Sequence, residues 1–429
     1  MLACWPTDRI SINELHGEFA VVLHDAATRN TTALRDALGV HPLYYRLMPG
    51  GIAFASRADV LASGDDDYDM SYLSAFLAGC AHDADASAFA SVFSVPAGHF
   101  VRFSDDRLTV HRWWSAEQFV DAVPRPVNEA VAEFRGRFAR AVRSRIAPDA
   151  GATWSELSGG LDSSSVVSMA SQLAHNGLAP HALGGTVTLV DRHGTGGDER
   201  RFVDAVTAAH RVPNTQLFDD ARADDDDDPP PLTDQPTASY LAYPRDRRLA
   251  RAVRRGGGSV LLSGYGSDHY LGGSAIFLAD LAARGRLGAA IREATRWAVV
   301  GRVSAWSMLW HNVAVPMMPG ALVRRVLGAS RVPPWIRPTV VRALNLDAHG
   351  LVTLAAGGPI GRKYISDVLR ALDGMPDVLA LHAVIQDTVE ERHPFLDRAL
   401  VELSLGFPPE ICAQPCARKW VLREAMRGL

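Results

Sequence analysis

From Trp154 the chain runs Trp154-Ser155-Glu156-Leu157-Ser158-Gly159-Gly160-Leu161-Asp162-Ser163-Ser164-Ser165-Val166-Val167, and this stretch constrains the fold more than any other. The partly apolar run from Thr153 to Leu157 predicts a strand, the paired glycines a tight turn, and Ser164 onward the start of a helix. Lacking a Cβ, the glycines let the backbone approach an anion closely. Serine hydroxyls and the unpaired N–H groups of a helix N-terminus add donors and a positive dipole end. Together they form a phosphate cradle. It is not a Walker-type loop, because that loop needs a lysine this stretch lacks. Asp162, inside an anion site, is repelled by phosphate unless a cation stands between them, and Mg²⁺ is suited to bridge the two. The plain alternative is an ordinary strand-to-helix turn.

A chain of 429 residues has room for two or three domains with sizeable cores. The net charge of −4 and the lack of a basic face exclude nucleic acid as an expected partner. Lysine and arginine total 44, yet only Lys363 and Lys419 are lysines, which makes each of them worth attention. Four cysteines (Cys4, Cys80, Cys412, Cys416) fit a reducing, cytoplasmic setting rather than a disulfide framework. Cys412 and Cys416 have no second Cys/His pair nearby, so zinc is not expected. Neither a signal peptide nor an apolar run long enough to span a membrane is expected.

Residues 15–60 alternate short apolar runs with turn signals and predict antiparallel strands joined by hairpins. A further hairpin is expected over Phe93 to Phe103 and Leu108 to Val110, with a helix near 69–79. Pro124 and Pro126 mark a linker, and Val127, Val131, Phe134, Phe138, Val142 and Ile146 then recur at helical spacing. Strands at 153–157, 183–189, 215–218 and 259–262 alternate with helices at 163–175, 198–210 and 238–255. This alternation predicts a doubly wound parallel α/β sheet with its ligand at the strands' C-terminal edge. Asp224 to Asp228, followed by Pro229 to Pro231, reads as a solvated loop, and from 275 onward the pattern is mainly helical.

A second glycine-rich turn, Ser263-Gly264-Tyr265-Gly266-Ser267-Asp268, follows the strand at 259–262 and should face the first across a crevice. Asp268 could then share Mg²⁺ with Asp162, unless it is only a helix N-cap. Nearer the end stand Glu391-Arg392-His393-Pro394-Phe395-Leu396-Asp397 and Arg418-Lys419-Trp420-Val421-Leu422-Arg423-Glu424-Ala425. In this order the four motifs resemble the asparagine synthetase family, adenylating enzymes that form amide bonds.

The resemblance implies ATP in the crevice and a carboxylate activated as acyl-adenylate, with an amine attacking it. Nucleotide contacts are implied at Leu157, Ser158, Gly159, Gly160, Asp162, Ser163, Ser164, Val187, Ser263 and Gly264, and Mg²⁺ at Asp162 and Asp268. Lys419 is implied to stabilise charge on the reacting centre, a device chemistry would require in any case. Tyr265 matches the tyrosine of β-lactam-forming synthetases that helps deprotonate the amine. There it is paired with a downstream glutamate, for which Glu293 is the nearby candidate.

Leu15-His16-Gly17-Glu18-Phe19 and Arg35 to Tyr45 resemble the later half of the family's glutaminase domain. Cys4 is not a terminal cysteine, and His16 replaces an expected acidic residue, so ammonia release from glutamine is not expected. The expected division is a glutaminase-like β remnant over 1–120 and a synthetase domain over 125–429. The motifs are most similar to those of lasso-peptide cyclases, which would make the substrate a precursor peptide, with a leader peptidase in the same pathway. Asparagine formation, β-lactam-type synthesis, a sulfur- or ammonia-transferring pyrophosphatase and a degenerate nucleotide-binding relative are the alternatives.

Overall fold

The computed structural model describes residues 12–64, 67–78, 83–120, 126–190, 199–218, 236, 243–319, 322, 333, 335–343, 368–369, 372, 389–415 and 417–429. Cys4, Cys80, Cys416, Lys363, the Asp224–Asp228 run and the predicted start of the 238–255 helix lie outside them. The chain forms two compact units. One joins Met1–Val120 with Thr233–Pro236 and Gly273–Ala380; the other joins Asp121–Leu232 with Thr237–Gly272 and Leu381–Leu429.

The first unit carries two antiparallel sheets. Strands β1 (Ala20–Asp25), β2 (Asn30–Arg35), β6 (His99–Ser104) and β7 (Arg107–Arg112) form one, in the order β1-β2-β6-β7. Strands β3 (Tyr44–Met48), β4 (Gly51–Ala55) and β5 (Phe93–Ser94) form the other, in the order β4-β3-β5. The stretch expected as one strand from Phe93 to Phe103 is therefore two. Pro96 offers no N–H to a ladder, so Phe93–Ser94 pairs with β3 while His99–Ser104 makes the hairpin with β7.

The Arg35–His41 motif has a local cause. The buried Arg35 guanidinium donates to the carbonyls of Gly39, His41 and Val95, and the Asp36 carboxylate accepts from the N–H of Leu38 and Val40. Helices follow at Phe277–Ala283, Leu287–Gly301 and Ala305–Leu309 in this unit.

The second unit is built on a five-stranded, wholly parallel sheet of β8 (Thr153–Glu156), β9 (Gly185–Val190), β10 (Asn214–Phe218), β11 (Val260–Leu262) and β12 (Glu390–Arg392). Its order is β10-β9-β8-β11-β12. The chain winds outward from β8 to β10, then crosses back to place β11 on the other side of β8. That reversal is the topological switch point, where parallel sheets of this kind open a crevice beyond the strand ends. The alternation read from sequence holds, with helices Val127–Arg145, Leu161–His175, Arg200–His210 and Tyr243–Arg255.

The Arg392–Asp397 motif turns out to be scaffold. The Phe395 side chain is fully buried and stacks on Phe138 at 4.7 Å between ring centroids. Its carbonyl accepts from the Tyr270 hydroxyl at 2.7 Å. Asp397 caps helix Arg398–Leu405 and pairs with the buried Arg145 at 3.3 Å.

Candidate active site

The two glycine turns end the adjacent strands β8 and β11 and are built alike. Gly160 caps the helix beginning at Leu161, and Gly266 caps a short helix, Ser267–Tyr270. Asp162 and Asp268 are thus both second residues of their helices, and neither is the N-cap. Each needs a glycine before it. Gly159 sits at φ +84°, where an added Cβ would lie 2.8 Å from the Glu199 carbonyl oxygen; Gly266 sits at φ +104°, against Leu396. The turns pack closely, since a Cβ on Gly264 would meet the Ser163 nitrogen at 2.9 Å.

The first turn holds its own shape. The Ser158 N–H donates to Ser163 Oγ (3.1 Å), the Gly160 N–H donates to Ser158 Oγ (3.2 Å), and the two hydroxyls share a 3.0 Å hydrogen bond.

Between the turns, a lysine meets both aspartates. Lys419 Nζ contacts Asp162 Oδ2, lies 2.8 Å from Asp268 Oδ1 and donates to Ser267 Oγ at 2.8 Å. The lysine is buried, at 7 % exposure. Its backbone is left-handed (φ +55°) where it caps helix Trp420–Ala425.

The residues fit a divalent cation. Asp162 Oδ1 is a buried carboxylate oxygen with no hydrogen-bond partner, and Asp268 is well exposed toward solvent. A hard ion takes such oxygen ligands together with phosphate and water. Among the described residues no group of three acidic, His or Cys side chains forms a complete protein cage. That suits an ion of the kind nucleotide phosphates help to hold.

A cavity of about 350 Å³ opens beside the turns. Of the residues singled out from sequence, Ser158, Asp162, Ser163, Ser263, Gly264 and Tyr265 line it. Leu157 and Val187 are instead fully buried, and the Leu157 N–H donates to the Val187 carbonyl at 2.9 Å. Gly159, Gly160 and Ser164 shape the turn and the helix start, with the Ser164 N–H donating to the Gly160 carbonyl at 3.2 Å.

Sequence reasoning missed the acidic side of this cavity. Glu156, Glu391 and Asp246 line it, with Arg245 beside them. Leu261 registers with Trp154 on one side and Glu391 on the other. Glu156 lies two residues beyond Trp154, so strand alternation puts all four on one face. The signal was available: a glutamate at the end of a buried strand is out of place unless it has work there.

Burial first, and then the nearby Glu391, push the Glu156 carboxyl up to about 8. Burial and then Glu391 also push the Tyr265 phenol up to about 12. Tyr265 therefore keeps its proton at neutral pH. Glu391 is the glutamate that acts on it; Glu293 lies in the other unit and pairs with Arg296 at 2.8 Å.

Glu156 makes stability depend on pH. Unfolded, it ionises near its ordinary value of 4.5; folded, it holds its proton until about 8. The folded state binds more protons across that window, so stability falls as pH rises through it. Glu156→Gln should remove this slope. Its unfolding midpoint should match the wild type near pH 4 and exceed it by about 5 °C near pH 9. Thermal denaturation across pH measures this, and an offset independent of pH would contradict it.

The model of the family described as asparagine synthase matches residues 133–429, more than half of the chain. The chain belongs to the asparagine synthase family. A model described as a glutamine amidotransferase domain matches residues 6–114.

Among curated relatives, amidase chry2 of Gibberella zeae is 30 % identical over 288 residues, covering 63 % of this chain and 41 % of that protein. The glutamine-hydrolyzing asparagine synthetase 3 of Bacillus subtilis is 28 % identical over 183 residues, 41 % of this chain and 29 % of that one. A putative glutamine-hydrolyzing asparagine synthetase of Mycobacterium tuberculosis is 24 % identical over 461 aligned residues, 99 % of this chain and 66 % of that one. The chain thus spans less than half of the first two relatives and about two thirds of the third. No described helix is long and apolar enough to cross a membrane.

Proposed function

We propose that this family member is an ATP-dependent amide-bond synthetase that adenylates a carboxylate and passes the acyl group to an amine. One observation carries the reading: the matched turns after β8 and β11 bring Asp162 and Asp268 onto the buried Lys419 at the sheet's switch point. A substrate carboxylate oxygen attacks the α-phosphorus of ATP, pyrophosphate leaves, and an acyl-adenylate forms. The amine nitrogen then attacks the acyl carbon, AMP leaves with the C–O bonding pair, and the ammonium proton must be taken up.

Chain residues supply the rest. The donors of the Ser158–Ser164 turn hold the leaving pyrophosphate at a helix N-terminus. The Lys419 ammonium opposes negative charge as it grows at the reacting centre. Tyr265, holding its proton, orients the amine by hydrogen bonding, and the Glu391 carboxylate is the proton acceptor, with Glu156 protonated beside it. Mg²⁺, held by Asp162 and Asp268, would neutralise phosphate charge when bound. The same reading assigns residues 1–120 to a glutaminase-like part and 125–429 to the synthetase.

For the acyl substrate, the finer proposal is an Asp or Glu side chain of a precursor peptide, closed onto the peptide's own amine as a macrolactam. It rests on the Glu156–Ser165 string and on Arg392–Asp397. Asparagine formation is the second reading, favoured by the name of the relative that aligns over 99 % of the chain.

Labelled ATP should yield AMP and pyrophosphate, separable by thin-layer chromatography. ADP as the only product would sink the assignment. Loss of one water from a peptide's mass, with no asparagine formed from aspartate and ammonium, would favour the macrolactam over its rival.

A further inference from the structure

Lys419 stands where an ion would. Among the described residues its ammonium is the charge that Asp162 and Asp268 share, and it donates to Ser267 Oγ at 2.8 Å. Two carboxylates drawn to one point repel each other unless a cation lies between them. A divalent ion taking the open Asp162 Oδ1 would stand against the ammonium already at Oδ2 of the same carboxylate, and like charges that close repel.

We propose that Lys419 and the divalent ion occupy the carboxylate pair in turn. In the nucleotide-free protein the ammonium holds Asp162 and Asp268 together. A metal arriving with the nucleotide displaces it, which frees the ammonium for the negative charge of the bound phosphates. This rests on the reading of the two aspartates as metal ligands given above.

The exchange has a physical basis in the ligand count. A bare divalent ion gains two carboxylates but must evict a buried ammonium from an ion pair and a hydroxyl. An ion carrying nucleotide phosphates brings further oxygen ligands, and it also brings the anionic charge that receives the evicted lysine. Metal binding should therefore follow nucleotide binding rather than precede it. The left-handed backbone at Lys419 sets the chain just ahead of a helix, so the long side chain can swing while the helix stays in place.

The test uses the full chain without substrate. Binding of Mn²⁺, followed by loss of the free-ion electron paramagnetic resonance signal, should be weak in the nucleotide-free wild type. In Lys419→Met it should be tighter by about 10-fold or more, because an unneutralised carboxylate pair is left behind. Ser267→Ala, which keeps the charge and removes one docking contact, should gain less.

A second measurement needs no change at residue 419. The chain holds only two lysines, Lys363 and Lys419, so lysine labelled at Cε gives two carbon resonances, assignable with Lys363→Arg. Mg²⁺ alone should leave the Lys419 resonance in place. Mg²⁺ with a non-hydrolysable ATP analogue should move it further than the analogue does alone. Equal Mn²⁺ affinity in wild type and Lys419→Met, or a Lys419 resonance unmoved by Mg²⁺ with the analogue, overturns the proposal. Neither readout requires an amide bond. ADP as sole product would defeat the synthetase reading and leave this inference standing, while equal Mn²⁺ affinities beside AMP production would defeat this inference alone.

Discussion

Lys419→Met should lower the single-turnover rate of amide formation on the order of 10²-fold or more while nucleotide affinity stays within a few-fold, the lost attraction to phosphate being offset by the easier entry of metal at the open aspartate pair. The ammonium is buried, and such a charge counts most where negative charge grows during the reaction rather than in the bound ground state. Losing rate without losing affinity is the mark of an interaction made chiefly in the transition state. Lys419→Arg should rescue only in part. A planar guanidinium cannot take the place of a compact ammonium between Asp162, Asp268 and Ser267. Single-turnover product formation and nucleotide titration in the same preparations decide the matter. Arg as fast as Lys, or Met losing affinity and rate together, would make Lys419 a general anchor.

Phe395→Ala should be the costliest single change to the fold. The ring is fully buried, stacks on Phe138 and leads directly into Leu396, against which Gly266 packs. Truncation loses the transfer free energy of the ring and leaves a cavity, together about 3–5 kcal/mol. The damage should also reach the site. The Phe395 carbonyl holds the Tyr270 hydroxyl, and Tyr270 ends the helix that carries Asp268. Denaturant unfolding of the variant should show the loss as a lower midpoint with an unchanged slope. A loss below about 1 kcal/mol would mean that the surrounding core closes over the gap.

These two residues stood in neighbouring sequence motifs and do different work. The stretch around Phe395 pointed to the family as surely as the stretch around Lys419, yet only Lys419 meets the aspartates. A motif conveys which residue types keep company, and the packing decides which of them face the chemistry. Tyr265 teaches the same lesson. Nearness in sequence points to Glu293, but the glutamate that acts on Tyr265 is Glu391, on the edge strand β12 paired with β11.

The sequence by itself determined whatever is governed by neighbours a few residues apart. Glycines at positive φ, helical spacing from Val127 to Ile146, and strands alternating with helices each obey a local rule, so the parallel sheet and both glycine-rich turns could be read directly. Only the tertiary structure decided what depends on strand order. Lys419 and Asp162 are 257 residues apart, and they meet because the chain reverses its winding between β8 and β11. The same reversal leaves Glu156 and Glu391 on one face, with only β11 between their strands, where burial and like charge hold a proton on Glu156. Electrostatic energy falls with distance in space and takes no account of distance along the chain. The charges that define this site were therefore legible one at a time in the sequence, and their partnership was not.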